Sequence, residues 1–366
     1  MIGIIICTTE CNLRCKYCFE ENEMKSMQHV PLTVINEHFF RGNEVWKKFG
    51  SELIAYNRDH GMVPEFTFHG GEPLLIYPEY IDELCGYYRA IDNRCKFNIQ
   101  TNGTLVNDKI LSVLVKYNFR VGVSIDGCEQ TNDENRITMS GKGTHSIILD
   151  NIKKLKDTGL VVGAMATITD SITQDVAKFY NFYKENDLSV GFNACYSSPN
   201  TDGHNKINDK DYCNFLTELF ELWISDDDSS IMIQPFERII RNMVRPSAGM
   251  GVCKFIEDCR GVNIAINSSG DIYQCLHYCN LKDSSMGNIM DCSLVDIIES
   301  NYRRKGHWER LIEGKTLCKD CDIYNYCYGG CPYWSDAKEI TGMERDFSCY
   351  SQKYIVHYIY NRLKNR

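Results

Sequence analysis

Eleven of the nineteen cysteines in this chain fall into two spaced sets. Cys11, Cys15 and Cys18 follow one another as C-x3-C-x2-C, just after the apolar run Ile2 to Ile6. Cys253, Cys259, Cys275, Cys318, Cys321, Cys327, Cys331 and Cys349 are spread over the last third of the chain. Thiolates in such sets are ligands for iron–sulfur clusters. Three can hold three irons of a [4Fe–4S] cube and leave the fourth open to a substrate or cofactor, whereas four close the cube and leave it to pass electrons. Zinc is the competing reading of the first set, but it wants four ligands, and Cys7 is the one nearby candidate for the fourth.

The elements that must hold these residues alternate from the start. Strands are predicted at Ile2–Cys7, Glu65–His69, Lys96–Thr101, Arg120–Ile125, Val161–Thr167 and Ser189–Cys195. Helices are predicted at Leu32–Phe49, Ile81–Ala90, Asp108–Tyr117, Ser146–Thr158 and Gln174–Asn186. In the helix after the third strand, Ile110, Leu111, Leu114 and Val115 make one apolar face. Such alternation implies a parallel sheet with right-handed crossovers, an α/β chain of six βα-type units. Functional residues are then expected at the C-terminal ends of the strands. Two helices within 209–243 lead to a second region. There the rhythm stops, and Val262–Ile266, the turn Asn267-Ser268-Ser269-Gly270 and Asp271–Gln274 read as a β-hairpin. Short Cys-rich loops follow. A last helix, Tyr354–Leu363, carries an apolar stripe of Tyr354, Ile355, Tyr358 and Ile359 that reads as core packing.

Composition limits the function classes. With 366 residues, 43% apolar and 24% charged, the chain reads as a soluble globular enzyme. A net charge of −9 argues against a nucleic-acid partner, because phosphate binding needs clustered Lys and Arg. No apolar run has the length of a membrane span and no signal peptide is evident, so no membrane is expected and the location is read as cytoplasmic. In that compartment cysteines serve as metal ligands more often than as disulfides. The eight outside the two sets, Cys7, Cys85, Cys95, Cys128, Cys195, Cys213, Cys279 and Cys292, are expected to be small buried hydrophobes.

The segment Cys11-Asn12-Leu13-Arg14-Cys15-Lys16-Tyr17-Cys18 resembles the signature of radical S-adenosylmethionine (radical SAM) enzymes, including the aromatic before the last Cys. Further matches follow in that family's order. His69-Gly70-Gly71-Glu72-Pro73 looks like its GGEP motif, Gln100-Thr101-Asn102-Gly103-Thr104-Leu105 ends the third strand, Val123-Ser124-Ile125-Asp126-Gly127 ends the fourth, and Arg136 comes next. The resemblance implies a partial (β/α)6 TIM-like radical SAM barrel with an open iron that chelates SAM's methionine group. Reductive cleavage of SAM then yields a 5′-deoxyadenosyl radical. It also implies that Gly70 and Gly71 let backbone approach the ligand, that Glu72 suits SAM's ammonium, that Ser124 and Arg136 contact its ribose and carboxylate, and that Tyr17 lies at the adenine. No clear motif marks the fifth strand.

The C-terminal third resembles the SPASM extension of peptide- and protein-modifying radical SAM enzymes. Ten residues separate Cys259 from Gly270 and four separate Gly270 from Cys275; Cys318, Cys321, Cys327 and Cys331 form the middle run, and Cys349 comes last. With Cys253 these make eight ligands, and the resemblance implies two closed auxiliary cubes. Cys253, Cys259, Cys275 and Cys331 would hold one, and Cys318, Cys321, Cys327 and Cys349 the other. A zinc-ribbon reading of the C-x2-C and C-x3-C pairs is the alternative. The cofactors expected are therefore SAM and three [4Fe–4S] clusters. The domains expected are the barrel over 1–207, a helical bridge over 208–252, the SPASM region over 253–349 and a terminal helix over 350–366.

The layout is very similar to that of anaerobic sulfatase-maturing enzymes, which oxidise a Ser or Cys of a client protein to formylglycine. Those carry an Asp, acting as base, directly after the Cys corresponding to Cys275; this chain has Leu276 and then His277. His277 is kept as a candidate acid/base, against the plainer reading of a packed or solvated histidine. The departure favours the maturation of a ribosomally made precursor peptide, with a thioether or other crosslink leading and epimerisation also open. A small-molecule radical SAM enzyme is the alternative from another class. A reducing partner such as flavodoxin or ferredoxin is expected. With a strand at Ile2, no N-terminal peptide-binding wing is expected, so capture of a leader peptide falls to another surface, such as an exposed strand, or to a separate protein.

Overall fold

The computed structural model describes residues 1–18, 30–195, 207–228, 230–245, 256, 259–280, 283–303, 318, 320–331, 333 and 348–364. Cys253 lies outside them. In chain order the elements run β1 (Ile2–Ile6), α1 (Leu32–Arg41), α2 (Asn43–Asp59), β2 (Glu65–His69), α3 (Pro78–Ile91), β3 (Lys96–Thr101), α4 (Asp108–Lys116), β4 (Arg120–Ser124), α5 (Glu129–Asn135), α6 (His145–Asp157), β5 (Val161–Ile168), α7 (Asp170–Thr173), α8 (Val176–Glu185) and β6 (Val190–Ala194). They continue with α9 (Asp209–Ile224), α10 (Phe236–Val244), β7 (Asn263–Ile266), β8 (Asp271–Tyr273), β9 (Gly287–Asn288), α11 (Leu294–Arg303), α12 (Tyr324–Cys327) and α13 (Cys349–Lys364). This is the α/β class with parallel strands expected from the alternation, and the first six strands lie within a residue of their predicted bounds.

The chain forms two compact units, neither continuous in sequence. The first comprises Met1–Ser124, Arg136–Gly163 and Arg260–Arg304. Its strands lie in the order β4-β3-β2-β1-β7-β8-β9. β1 pairs parallel with β2, from Ile2↔Glu65 to Ile6↔His69, and with β7 on its other side, from Ile2↔Asn263 to Ile5↔Ile266. β2–β3 and β3–β4 are also parallel, whereas β8 and β9 fold back antiparallel. The period-two alternation of each strand separates two faces. On one, Phe66, Phe68, Phe97 and Val121 are buried, with Phe66 stacked 4.3 Å from Tyr88 of α3 and Phe97 5.5 Å from Phe119. On the other, Thr67, Asn98, Gln100 and Ser124 make a polar face. There the Asn98 amide donates to Thr67 Oγ1 at 3.2 Å and the Gln100 amide to Ser124 Oγ at 3.1 Å. Burying each of those aromatic rings contributes about 1.5–3 kcal/mol.

Two helical expectations change. The periodicity predicted one helix over Leu32–Phe49, but the chain turns at Gly42. There the Trp46 indole N–H folds back to donate to Phe39 O at 3.1 Å, and a Cβ at Gly42 would lie 3.0 Å from Trp46 Nε1. The second helix then runs on to Asp59, with Gly50 so close to α3 that a Cβ would sit 1.9 Å from the Tyr88 ring. Helices α5 and α11 are additional to the predicted elements; α5 has no apolar residue at all, and α11 lies where the sequence predicts loop.

The second unit comprises Ile125–Asn135, Ala164–Cys259 and Lys305–Arg366. β5 and β6 pair parallel, from Ala164↔Val190 to Ile168↔Ala194. Phe179, Phe192, Phe215, Phe220 and Phe236 pack edge to face behind them. α13 starts at Cys349, earlier than predicted, and buries Ser351, Gln352, Ile355, Val356 and Ile359. The expected stripe is therefore rotated, and Tyr354 is 39% exposed. Arg362 closes on Glu221 of α9 at 2.9 Å, and Asn242 of α10 donates its amide to Tyr326 O at 3.0 Å, tying the helices to the Cys-rich loop.

Candidate active site

The loop that carries Cys11, Cys15 and Cys18 sits at the C-terminal end of β1 and is held by the ends of its neighbours. The parallel ladder continues past the strands: Gly71 N–H donates to Thr8 O and Glu72 N–H to Glu10 O, both at 2.8 Å. Gly70 has φ +126°, and a Cβ there would lie 2.2 Å from Thr8 O; at Gly71 it would lie 2.3 Å from Glu10 O. The sequence reading has these glycines admitting a ligand. The structure shows them admitting the backbone of residues 8–10, so they set the height of the Cys loop above the sheet. On the loop's other side Leu13 bridges to Thr138 and Arg14 N–H donates to Ile137 O at 2.8 Å.

Glu72 is fully buried and turned inward. Its Oε1 accepts from Leu74 N–H at 2.9 Å and the Thr101 hydroxyl at 2.6 Å, and its Oε2 accepts from Asn102 N–H at 2.7 Å. Burial pushes this carboxyl up to about 7, with the three donors pulling the other way. Beside it, His69 is pushed down to about 4 by burial and accepts Gly70 N–H on Nδ1 at 2.8 Å.

Ser124 ends β4 with its hydroxyl held by Gln100, and Gly122 leaves room for that side chain: a Cβ there would lie 2.2 Å from Gln100 Oε1. Arg136 is buried at 7% exposure with its guanidinium over the Tyr17 ring, 5.4 Å from the centroid. Tyr17, Gly70, Gly71, Glu72, Ser124 and Arg136 thus all lie in the first unit with the Cys loop. Cys275 does too, followed by Leu276 and His277, which open a 3-10 turn over Leu276–Asn280 after β8.

The three thiols are half-buried on one loop. Leu13 N–H donates to Cys11 Sγ at 3.4 Å and the Asn102 amide donates to it at 3.7 Å, while Cys18 N–H closes a turn onto Cys15 O at 3.1 Å. Burial pushes the Cys11 thiol up to about 12. N–H donors aimed at sulfur suit a thiolate bound to iron, so this donor set fits a three-Cys cube. Among the described residues the mononuclear zinc alternative finds no fourth ligand. Cys7 is buried and its thiol donates to Ile5 O at 3.6 Å. Among the described residues no three His, Cys, Asp or Glu side chains are gathered for a single ion.

Cys318, Cys321, Cys327 and Cys349 all lie in the second unit. Cys321 N–H donates to Cys318 O at 2.9 Å, the Cys327 thiol to Gln352 Oε1 at 3.2 Å, and Asp322 pairs with Lys353 of α13 at 2.8 Å. The Asp322 carboxylate, with smaller contributions from Cys321 and Cys349, holds the Lys353 ammonium above its usual range. Cys331 is buried there as well, and Cys259 is half-buried. Of the other cysteines, Cys7, Cys85, Cys95, Cys195 and Cys213 are buried as expected. Cys128 and Cys279 are half-buried and Cys292 is exposed, because they sit in turns and not in strands or helix cores. Cys279 donates to Cys275 O at 3.6 Å. Sequence reasoning gave no role to Thr101, Asn102, Asn12 or Thr104, although all four stand in quoted motifs. Their signal is position alone: polar side chains at a strand end and inside the Cys loop.

Comparison with known proteins agrees with this geometry. Residues 5–182 match the radical SAM superfamily and residues 258–322 match SPASM, an iron–sulfur cluster-binding domain. The chain is similar to the serine-type anaerobic sulfatase-maturating enzyme of Bacteroides thetaiotaomicron, 29% identical over 348 residues covering 88% of this chain and 80% of that one. It is also similar to the cysteine-type anaerobic sulfatase-maturating enzyme of Clostridium novyi, 26% identical over 366 residues covering 94% and 91%. Among solved structures, native anSMEcpe with bound AdoMet superposes with a TM-score of 0.81 at 25% identity, covering 100% of this chain and 98% of that one. Streptococcus suis SuiB bound to S-adenosylmethionine shares the fold, with a TM-score of 0.63 at 17% identity over 95% and 76%. Among the described residues no helix is long and apolar enough to cross a membrane. The chain is an enzyme with a radical SAM domain and a SPASM iron–sulfur cluster-binding domain.

Proposed function

We propose that this enzyme oxidises a side chain of a ribosomally made peptide, removing two hydrogens and most often closing a thioether or other crosslink. The observation that carries this reading is the convergence of the three-Cys loop, Gly70 to Glu72, Ser124, Arg136 and Tyr17 at one end of β1 to β4, above a polar sheet face. Cys11, Cys15 and Cys18 would hold the open cube. Tyr17, Ser124 and Arg136 would contact SAM, and Glu72 would set the strand ends beneath it. Cys253, Cys259, Cys275 and Cys331, and Cys318, Cys321, Cys327 and Cys349, would hold the two closed cubes. When bound, SAM supplies a deoxyadenosyl radical as hydrogen acceptor and the closed cubes supply an electron sink. Gln100 fixes the Ser124 hydroxyl, and Thr67 and Asn98 extend the same polar face toward a substrate chain. The neighbours described as bound to Cp18Cys peptide and to precursor peptide SuiA support a polypeptide as the partner. A flavodoxin or ferredoxin would supply the reducing electron.

Formylglycine formation is the second reading, favoured by the whole-length likeness to proteins named anaerobic sulfatase-maturating enzymes. Leu276 stands where such enzymes are expected to carry a carboxylate base, which is why the crosslink ranks first. Mass spectrometry of the genomically adjacent peptide and of a sulfatase-derived Ser or Cys peptide, each incubated anaerobically with reconstituted enzyme, SAM and flavodoxin, tests both. A loss of two hydrogens with a fragment gap between two residues supports the crosslink. An aldehyde that reacts with a hydrazine, on the sulfatase peptide, moves the second reading to first place. Deuterium uptake from solvent with no mass change in ordinary water means epimerisation and overturns the oxidation.

A further inference from the structure

Asn102 is buried at 7% exposure, directly after β3, and every polar atom of its side chain has a partner. Its Oδ1 accepts from Thr104 N–H at 3.0 Å and from the Thr104 hydroxyl at 2.7 Å. A backbone N–H can only donate, so the atom facing it must be the oxygen, and the amide's orientation follows without choice. The two hydrogens of Nδ2 then point to Asn12 Oδ1 at 2.9 Å and to Cys11 Sγ at 3.7 Å. Asn12 passes its own amide N–H to Thr104 Oγ1 at 2.8 Å, which closes a ring of three side chains, each donating to the next. Below the ring, Glu72 Oε2 grips Asn102 N–H at 2.7 Å. The amide therefore cannot turn away from the sulfur without breaking bonds on both sides.

We infer that Asn102 is a positioning residue for the radical cluster, and that its N–H on Cys11 Sγ raises that cluster's reduction potential. The inference rests on the reading of Cys11, Cys15 and Cys18 as the open cube. Reduction adds negative charge that spreads onto the thiolate sulfurs. An N–H dipole aimed at one of them stabilises the reduced form more than the oxidised form, and hydrogen bonds to sulfur are among the features that set cluster potentials. The same bond holds Cys11 in one rotamer, and its Leu13 donor is backbone, so Asn102 is the donor that substitution can remove. A higher potential eases electron entry from a donor protein. It also leaves less driving force for cleaving SAM, so the bond sets a balance between the two steps.

The test is an EPR-monitored redox titration of the fully reconstituted chain and of its Asn102→Leu and Asn102→Asp variants. The radical cluster is identified as the signal that changes when SAM is added. That signal should titrate at lower potential in Asn102→Leu and lower again in Asn102→Asp, where a carboxylate replaces the donor, while the other clusters stay in place. Should the variants fail to load iron at this loop, pulsed EPR on wild-type protein carrying 15N only in asparagine side-chain amides reads the bond directly. A nitrogen coupled to the SAM-responsive spin is expected. An unmoved potential, or no coupled amide nitrogen, overturns the role of Asn102 alone. A wild-type protein with no SAM-responsive signal overturns the assignment of the three-Cys loop itself.

Discussion

The Arg136 guanidinium lies 5.4 Å from the centre of the Tyr17 ring. This pairs the residue before the last loop cysteine with the segment between α5 and α6. Two backbone contacts support it, Leu13 to Thr138 and Arg14 N–H to Ile137 O, and the Thr144 hydroxyl donates to Arg136 O at 2.7 Å. Arg136 thus stiffens the loop.

Tyr17→Leu removes the ring face and leaves the cysteines in place. A cation–π pair of about 0.5–2 kcal/mol corresponds to a loss of SAM affinity of roughly 2- to 30-fold if the pair pre-organises the site. Arg136→Lys should not restore affinity, because an ammonium lacks the flat fork that both stacks and pairs with a carboxylate. Equilibrium binding of SAM to the reconstituted variants measures both, and wild-type affinity in Tyr17→Leu removes the coupling.

Gly71→Ala should cost the open cube. The new Cβ would meet two carbonyl oxygens, Glu10 O at 2.3 Å and Thr9 O at 2.5 Å, and backbone cannot swing aside as a side chain can. The Cys loop must lift from the strand ends. Iron and sulfide analysis should fall by about four atoms each, one cube's worth, with the thermal transition also lowered. Full iron content and wild-type SAM cleavage in this variant would mean that the loop height is not set here.

Glu72 predicts a pH dependence. Its carboxyl is raised by burial to about 7 from an ordinary value of 4.5. Between those values the folded protein holds a proton that the unfolded chain has released, so this group's contribution to stability is full below pH 4.5 and is lost as pH rises through 7. Glu72→Gln cannot titrate and leaves one donor without an acceptor, at a cost of about 1–3 kcal/mol. Its deficit against wild type should therefore be largest near pH 5 and shrink toward pH 8. Anaerobic urea denaturation at several pH values reads the difference. A deficit that does not vary with pH contradicts the raised carboxyl.

Much of this site was legible because its parts are strand ends. β2 and β3 carry alternating apolar residues and stop at Gly70 and Asn102, so pattern alone put the motif residues on one edge. The partners of the motifs were not legible. Nothing in the spacing of Gly70 and Gly71 says that the close approach is to Thr8 and Glu10, because that follows from the β1–β2 register. Nothing local says that Arg260–Arg304 returns to lie beside β1; β7 pairs there across more than 250 residues of chain. Gly42 and α5 failed for opposite reasons. A helical pattern ran on through a turn that Trp46 imposes, and a short polar helix carried no apolar period to detect.

Cys15→Ala and Cys321→Ala separate the two kinds of cube. Cys15 lies on the loop proposed to hold the open cube, and Cys321 is one of the four cysteines proposed to hold a closed cube, next to the Asp322–Lys353 pair. Wild-type protein is expected to hold about twelve irons, from three cubes of four. Each substitution should remove about four. Only Cys15→Ala should abolish deoxyadenosine formation under dithionite, because the chemical reductant reaches the open cube directly. Cys321→Ala should still cleave SAM but fail to complete the proposed peptide oxidation, in which the closed cubes would take the electron that the substrate gives up. Deoxyadenosine from Cys15→Ala would place the radical chemistry on another set of cysteines. Full peptide turnover by Cys321→Ala would release the auxiliary cluster from any part in the oxidation.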